Sequence, residues 1–518
     1  DGTIDKYKAR LVCLGNQQGE SSYDAIKSGT ARSATVKLLV SIQAKLKSMS
    51  MVLDVKGAYL KSHIREELDE KLFVMLPDKK VVKLKKYLYG LKQAGYEWEQ
   101  NVTSCLINAG YNQSEADPHS FSKWVGERYV IMCLHVDDFF VIGSDTEMMN
   151  DLHTVLSNEY GQISVKEGNL LAYLGMQIAI DDQTGDITLS QPAYIKKLIE
   201  LHVTEDRNDK KVYRSPMSTI NSNAPGDETP IDQRTYLEVV GGLNYLAQYT
   251  RPDILFSLSV LAQQCSCPTA GDMRKAIRIL RYLECTSDRG LTFRRGKVEL
   301  ECYVDAAHHS YPDGKGHYGY SFALGPQDGS FFAKSKKLKL TTLSSTESEY
   351  VALCEATREA VWLRRLLKDI GFQQATPTRM WQDNMSTIDM VNGHRNFQAS
   401  KHINPKFHYT GEMVDDGEIR LEYKATKEMV ADVLTKALPG TDHLKFSGHL
   451  LNTNLQLSRL KAKQLRALQS KALHSGRANG SVAKFSKSTE CSAPRISTRK
   501  SGNGMSSLSE SKRKEKKH

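Results

Sequence analysis

Two adjacent carboxylates inside an apolar run constrain this chain more than any other feature. They lie in Tyr129-Val-Ile-Met-Cys-Leu-His-Val-Asp137-Asp138-Phe-Phe-Val-Ile-Gly143. The flanks read as two strands, with the aspartates at the turn between them. Side by side near a core, the two carboxylates repel each other and lose hydration, a penalty that a divalent cation offsets. Turn propensity is the weaker explanation. A two-residue hairpin prefers Asn-Gly or Asp-Gly, and Asp-Asp lacks the glycine that makes positive φ cheap.

A third carboxylate of this kind, Asp54, ends the strand-like run Met49-Ser-Met-Val-Leu-Asp54. Three aspartates suffice for two metal ions, and hard, oxygen-only ligands favour magnesium over zinc; manganese is the alternative ion. With ions about 3.5–4 Å apart, such a site supports in-line phosphoryl displacement.

The strings Tyr7-Lys8-Ala-Arg10-Leu-Val, Leu53-Asp54-Val-Lys-Gly-Ala-Tyr59-Leu, Leu88-Tyr-Gly-Leu-Lys-Gln93-Ala, Val136-Asp137-Asp138 and Tyr173-Leu-Gly-Met-Gln-Ile occur in this order. Together they resemble the reverse transcriptase of copia-type LTR retrotransposons. The likeness continues through Tyr249-Thr-Arg-Pro-Asp253-Ile and Leu343-Ser-Ser-Thr-Glu-Ser-Glu349-Tyr to Ala431-Asp432-Val-Leu-Thr-Lys436, covering roughly residues 1 to 440. It implies that Asp54, Asp137 and Asp138 hold polymerase magnesium ions. It also implies that Tyr59 lies under the incoming sugar and excludes a 2'-hydroxyl. Lys8 and Arg10 match basic positions that meet the triphosphate, and Gln93 matches a glutamine beside the nucleotide pocket. Read without the motifs, Tyr59 is a core aromatic and Lys8 and Arg10 are a solvated strand face. The sequence departs from the family pattern at His135, where tyrosine is usual, and at Gly95-Tyr96, where Pro-Arg is usual.

A second acidic set follows. Val298-Glu-Leu-Glu-Cys-Tyr-Val-Asp305 alternates like a half-buried strand ending in an aspartate. Ser344-x-x-Glu347 is a capping-box pattern that opens a helix running to Leu367. Capping explains Glu347. Glu349 requires another explanation, and with Asp305, Asp383 and Asp432 it resembles the Asp-Glu-Asp-Asp centre of ribonuclease H. That resemblance implies a mixed sheet flanked by helices, a second magnesium centre, and cleavage of the RNA strand of an RNA-DNA hybrid. His408 and Lys401-His402 fall in a further family-like stretch, where Asn404 and Thr410-Gly411 depart from the usual acidic and basic residues.

A length of 518 residues allows three globular units and a tail. We expect an α+β protein: reverse transcriptase fingers and palm over 1–215, thumb and connection over 216–295, and a ribonuclease H-like α/β domain over 296–440. Residues 441–518 form a basic tail, expected to be partly helical from Leu450 to Leu473 and mostly disordered beyond. The formal charge is +11, but residues 441–518 alone carry +13, so the first 440 sum to −2. Any basic cleft in the folded part is therefore local. The tail reads either as a salt-sensitive nucleic-acid tether or as sequence translated beyond the ancestral end, and its final basic cluster matches a nuclear import signal.

The nine cysteines have no paired zinc spacing, and no apolar segment is long enough to cross a bilayer. The expected partners are an RNA template, a DNA primer, RNA-DNA hybrid and deoxynucleoside triphosphates, with no membrane. The start at Asp1 fits a polyprotein fragment, whose capsid, protease and integrase products are not seen here. A cytoplasmic, particle-associated location follows from this reading, with nuclear entry through the tail. Two rival readings share the pattern: a non-catalytic nucleic-acid-binding relic, and a chain that retains only ribonuclease H.

Overall fold

The computed structural model describes residues 11–19, 23, 26–64, 72–203, 212–218, 226–326, 328–393 and 408–453. Lys8, Arg10, Lys401, His402, Asn404 and the basic tail from residue 454 onward lie outside the described residues.

Along the chain the elements are α1 (Ser33–Leu46), β1 (Met49–Val55), β2 (Phe73–Met75), β3 (Val81–Lys83), α2 (Ala94–Asn108), β4 (Asn112–Gln113), β5 (Ser120–Val125), β6 (Arg128–His135), β7 (Asp138–Gly143) and α3 (Thr146–Tyr160). Strands β8 (Ile163–Glu167), β9 (Leu170–Tyr173), β10 (Met176–Ile180) and β11 (Ile187–Ser190) follow. Next come helices α4 (Pro192–His202), α5 (Gln233–Tyr249), α6 (Leu255–Ala262) and α7 (Ala270–Cys285). The remainder is β12 (Leu291–Phe293), β13 (Leu300–Ala307), β14 (His317–Leu324), β15 (Phe332–Lys337), α8 (Ser345–Asp369), β16 (Thr378–Gln382), α9 (Met385–Asn392), α10 (His408–Asp415), β17 (Ile419–Tyr423) and α11 (Gly440–Leu451). Among the described residues no helix is long and apolar enough to cross a membrane. The architecture is α+β.

The first large sheet has the order β4-β5-β6-β7-β1-β8. The apolar run around the aspartate pair splits into β6 and β7 as its periodicity predicts, and β1 pairs antiparallel with β7. A separate four-stranded sheet, β12-β11-β10-β9, takes its edge strand β12 from beyond helices α4 to α7.

Helix α1 is buried along both its apolar and its polar positions, from Ala34 to Lys45. Such a helix is tenable only if its polar groups find partners. Thr35 donates to Asp117 at 2.5 Å, Lys37 to the Gln248 carbonyl at 2.6 Å, Ser41 to Asp328 at 2.8 Å and Gln43 to Ser50 at 2.7 Å. Lys45 pairs with Asp328 at 3.2 Å. Those partners belong to β1 and the β4–β5 loop, to α5 and to the segment between β14 and β15, so one helix ties three parts of the chain together.

The third sheet is mixed, with the order β15-β14-β13-β16-β17. Its first three strands are antiparallel, and β16 and β17 run parallel to β13. The alternation in 298–305 predicts a half-buried strand, yet β13 is buried on both faces. Its polar position Glu301 is accommodated by the Tyr303 hydroxyl and the Trp381 indole, each donating at 3.4 Å. Helix α8 covers this sheet, and its far end docks on the first sheet. There Asp369 accepts from Ser114 and the Ala116 amide, while the Trp362 and Trp124 indoles donate to the carbonyls of Ala116 and Ile370.

The apolar helical pattern from Tyr236 to Gln264 breaks into α5 and α6 because Pro252 cannot continue a helix. At that break Arg251, fully buried, grips Asp253 through two hydrogen bonds of 2.9 and 2.7 Å. Tyr282 donates to the same carboxylate at 2.6 Å, and Arg251 also donates to the Thr286 carbonyl and hydroxyl. The ordered chain continues past residue 440: α11 buries Phe446, Leu450 and Leu451, and the Leu450 carbonyl accepts from the Ser330 amide.

Candidate functional site

At the β6–β7 turn the register pairs His135 with Asp138, leaving Val136 and Asp137 as the two linking residues. The positive φ that such a turn demands falls on Val136 at +61°, not on either aspartate. A β-branched residue there is a genuine outlier, costing on the order of 1–3 kcal/mol. The turn brings Asp138 opposite Asp54 across β1 and β7, and the Val55 amide donates to the Asp137 carbonyl at 3.0 Å. Burial first, then the Asp137 and Asp54 carboxylates, push the Asp138 carboxyl above its ordinary value.

Tyr59 lies in the short 3-10 turn just after β1, its ring 5.0 Å from that of Tyr89. Both tyrosines line a cleft of about 440 Å³ with Asp137 and Asp138. Burial, then Asp137, raises the Tyr59 hydroxyl above its usual range. Gln93 is buried at the start of α2, where its side-chain oxygen accepts from Gln18 at 2.7 Å.

The second acidic set converges further. Asp305 lies in the buried stretch near the end of β13, Glu349 sits just past the first turn of α8, and Asp383 immediately follows β16. The parallel β13–β16 register, Tyr303 beside Trp381, carries Asp305 and Asp383 to the same end of the sheet. Ser344 caps α8 by accepting from the Glu347 amide, while the Glu347 carboxylate reaches back one residue further, to the Leu343 amide at 2.7 Å. That occupies Glu347 and leaves Glu349 facing the sheet end. Among the described residues one trio offers three carboxylate oxygens, one from each residue, all within 4.8 Å of one another: Asp305, Glu349 and Asp383. Asp54, Asp137 and Asp138 gather at one turn without closing to that spacing.

Asp432 is held one ammonium away from the trio. Lys436 Nζ lies 2.7 Å from Asp432 Oδ1 and 3.3 Å from Asp305 Oδ2. Burial, reinforced by Asp305, pushes Asp432 up to about 7 despite Lys436, and burial with Asp305 and Asp383 holds Glu349 well above the carboxylate range. Burial also raises Asp383, against a 2.8 Å hydrogen bond from Thr426. Burial alone would lower Lys436; Asp305 and Asp432 outweigh it and raise its ammonium above the ordinary lysine value. Four acids this close, three of them reluctant to ionise, form the oxygen-only donor set that divalent magnesium or manganese fits.

Sequence reasoning did not assign roles to Lys436, Thr435, Gln382 or Thr426. Thr435 donates to Asp305, and Gln382 donates to Glu349 at 3.3 Å while accepting from the Asp383 amide. The one available signal was Lys436 standing four residues after Asp432, a spacing that joins side chains on one face of a helical turn.

Residues 1–216 match the family described as reverse transcriptase (RNA-dependent DNA polymerase). Over 452 residues, 85% of this chain, the sequence is 30% identical to the retrovirus-related Pol polyprotein from transposon TNT 1-94 of Nicotiana tabacum. The chain belongs to the copia-type retrotransposon Pol polyproteins. Another relative is the Ty1-NL2 Gag-Pol polyprotein of Saccharomyces cerevisiae, 26% identical over 470 residues, 85% of this chain. This Pol chain spans about a third of the tobacco relative (34%) and about a quarter of the yeast one (26%). Among solved structures, a foamy viral protease-reverse transcriptase with double-stranded DNA is 12% identical, with a TM-score of 0.47, over 78% of this chain and 61% of its own. LC11-RNase H1 with an RNA/DNA hybrid is 13% identical, with a TM-score of 0.21, over 26% of this chain and 94% of its own.

Proposed function

We propose that this Pol chain is an RNA-directed DNA polymerase with ribonuclease H activity, copying retrotransposon RNA into DNA and degrading the RNA of the resulting hybrid. The observation that carries this reading is the convergence of Asp305, Glu349 and Asp383 in the same compact unit as the Asp54–Asp138 cross-strand pair. Fingers and palm would occupy 1–215, thumb and connection 216–295, and ribonuclease H 296–440.

Asp54, Asp137 and Asp138 would hold one magnesium centre, and Asp305, Glu349, Asp383 and Asp432 the other. When bound, magnesium supplies Lewis-acid stabilisation of the oxygens that gain charge in phosphoryl transfer. The chain's own residues do the rest. Tyr59, which lines the same cleft as Asp137 and Asp138, would set its ring against a 2'-hydroxyl of the incoming sugar. Gln382 and Thr426 orient Glu349 and Asp383 by hydrogen bonds, and Thr435 orients Asp305.

The test is magnesium-dependent extension of a labelled DNA primer on a separately labelled RNA template, comparing wild type with Asp138→Asn and Asp383→Asn. The expected result is loss of extension only in Asp138→Asn and loss of RNA cleavage only in Asp383→Asn. Folded wild-type protein with neither activity would identify a nucleic-acid-binding relic. Cleavage without extension would identify a chain retaining ribonuclease H alone.

A further inference from the structure

The turn that presents Asp137 and Asp138 is strained, so something outside it must hold it. Its first linking residue, Val136, has φ +61°, where hairpins of this type ordinarily use glycine. The peptide groups on either side of Asp137 are both fastened. On one side the Asp137 carbonyl accepts from the Val55 amide of β1. On the other, the Val136 carbonyl accepts from the indole N–H of Trp98 at 2.5 Å.

Trp98 comes from α2, is 1% exposed, and packs edge-on against Tyr160 with ring centroids 5.0 Å apart. Tyr160 is itself fixed by donating to Asn101 at 2.8 Å. The indole cannot swing away without opening the core, so its N–H is a rigid donor aimed at the strained peptide. A side chain held by packing is the kind that fixes a catalytic geometry.

We infer that Trp98 is a positioning residue for the polymerase carboxylates: its indole N–H locks the Val136 peptide and thereby the direction in which Asp137 and Asp138 leave the turn. The inference rests on the polymerase reading of this site. Trp98 acts through the turn, by its hydrogen bond to the Val136 carbonyl.

The experiment uses the whole chain, with extension and hybrid cleavage measured on the same preparation. Trp98→Phe keeps an aromatic ring and removes the N–H. Its expected effect is a fall in the extension kcat of ten-fold or more, with hybrid cleavage within two-fold of wild type. Val136→Gly makes positive φ cheap, so Trp98→Phe/Val136→Gly is expected to recover most of the lost extension. A core-packing role alone would not produce that rescue. Trp98→Phe extending as well as wild type overturns the inference, as does parallel loss of both activities. Manganese binding, followed by electron paramagnetic resonance with the second site silenced by Asp383→Asn, provides a readout that needs no turnover. Weaker binding in Trp98→Phe supports the inference and equal binding overturns it. A wild type that fails to extend defeats the polymerase reading, and the manganese comparison then decides the role of Trp98.

Discussion

Lys436 Nζ lies 2.7 Å from Asp432 and within 3.4 Å of both Asp305 oxygens, so a tethered cation sits among the acids of the second centre. It neutralises part of the repulsion that a bound divalent ion would otherwise have to relieve. Lys436→Met is expected to destabilise the metal-free protein by about 1–2 kcal/mol, after allowance for the lysine's partial exposure. It should also tighten magnesium binding several-fold. Urea unfolding with and without magnesium, together with calorimetric titration, measures both; unchanged magnesium affinity would refute the competition.

Asp432 gives a pH dependence of defined sign. Its folded carboxyl titrates near about 7, against about 3.9 in an unfolded chain. Between those values the folded state binds more protons, so the contribution of Asp432 to metal-free stability is fully present below pH 4, is lost as pH rises and is gone above 7. The loss should be on the order of 2–4 kcal/mol. Asp432→Asn should flatten that slope in denaturation series run in chelator from pH 4 to 8.

Tyr59 shares its cleft with Asp137 and Asp138. Tyr59→Val is expected to reduce discrimination against ribonucleotides by ten-fold or more while deoxynucleotide incorporation changes much less. Competing single-nucleotide incorporation gives the ratio, and an unaltered ratio would return Tyr59 to the role of a core aromatic.

Buried Lys37 donates to the Gln248 carbonyl, and burial lowers it to about 7. An unfolded lysine titrates near about 10.4, so the unfolded chain holds the extra proton between those values and stability rises with pH across that window. Lys37→Met should remove the slope and raise stability at pH 7 by roughly 1–3 kcal/mol. Thermal melts from pH 6 to 10 test this, and a destabilised variant would contradict it.

Arg251 and Asp253 form a fully buried, bidentate pair completed by Tyr282 and Thr286. Removing only the guanidinium strands a buried carboxylate. Arg251→Met should therefore destabilise by about 3–5 kcal/mol, seen as a lowered urea midpoint. A shift below about 1 kcal/mol would show that the site hydrates.

Local signals carried much of this structure. The apolar flanks of Asp137-Asp138 announced β6 and β7, and Ser344 with Glu347 announced the start of α8. Periodicity could not show that β13 is covered on both faces, because Glu301 keeps the alternating pattern while its partners, Tyr303 and Trp381, are settled only by tertiary packing. Nor could it show that the hairpin's strain falls on Val136, since that depends on register and on a hydrogen bond from an indole 38 residues upstream. The Arg251-Pro252-Asp253 string was legible as a likeness; its physical role as a buried clamp at a helix break was not.

Helix α1 bears on how the two proposed centres would be held. It is buried from Ala34 to Lys45 and bonded to Asp117, Gln248 and Asp328, so it joins the sheet that carries Asp54 and Asp138 to the segment between β14 and β15. If both proposed activities operate on one duplex, a helix anchored in this way would act as a spacer between them, and cuts would fall at a constant number of base pairs behind the growing end.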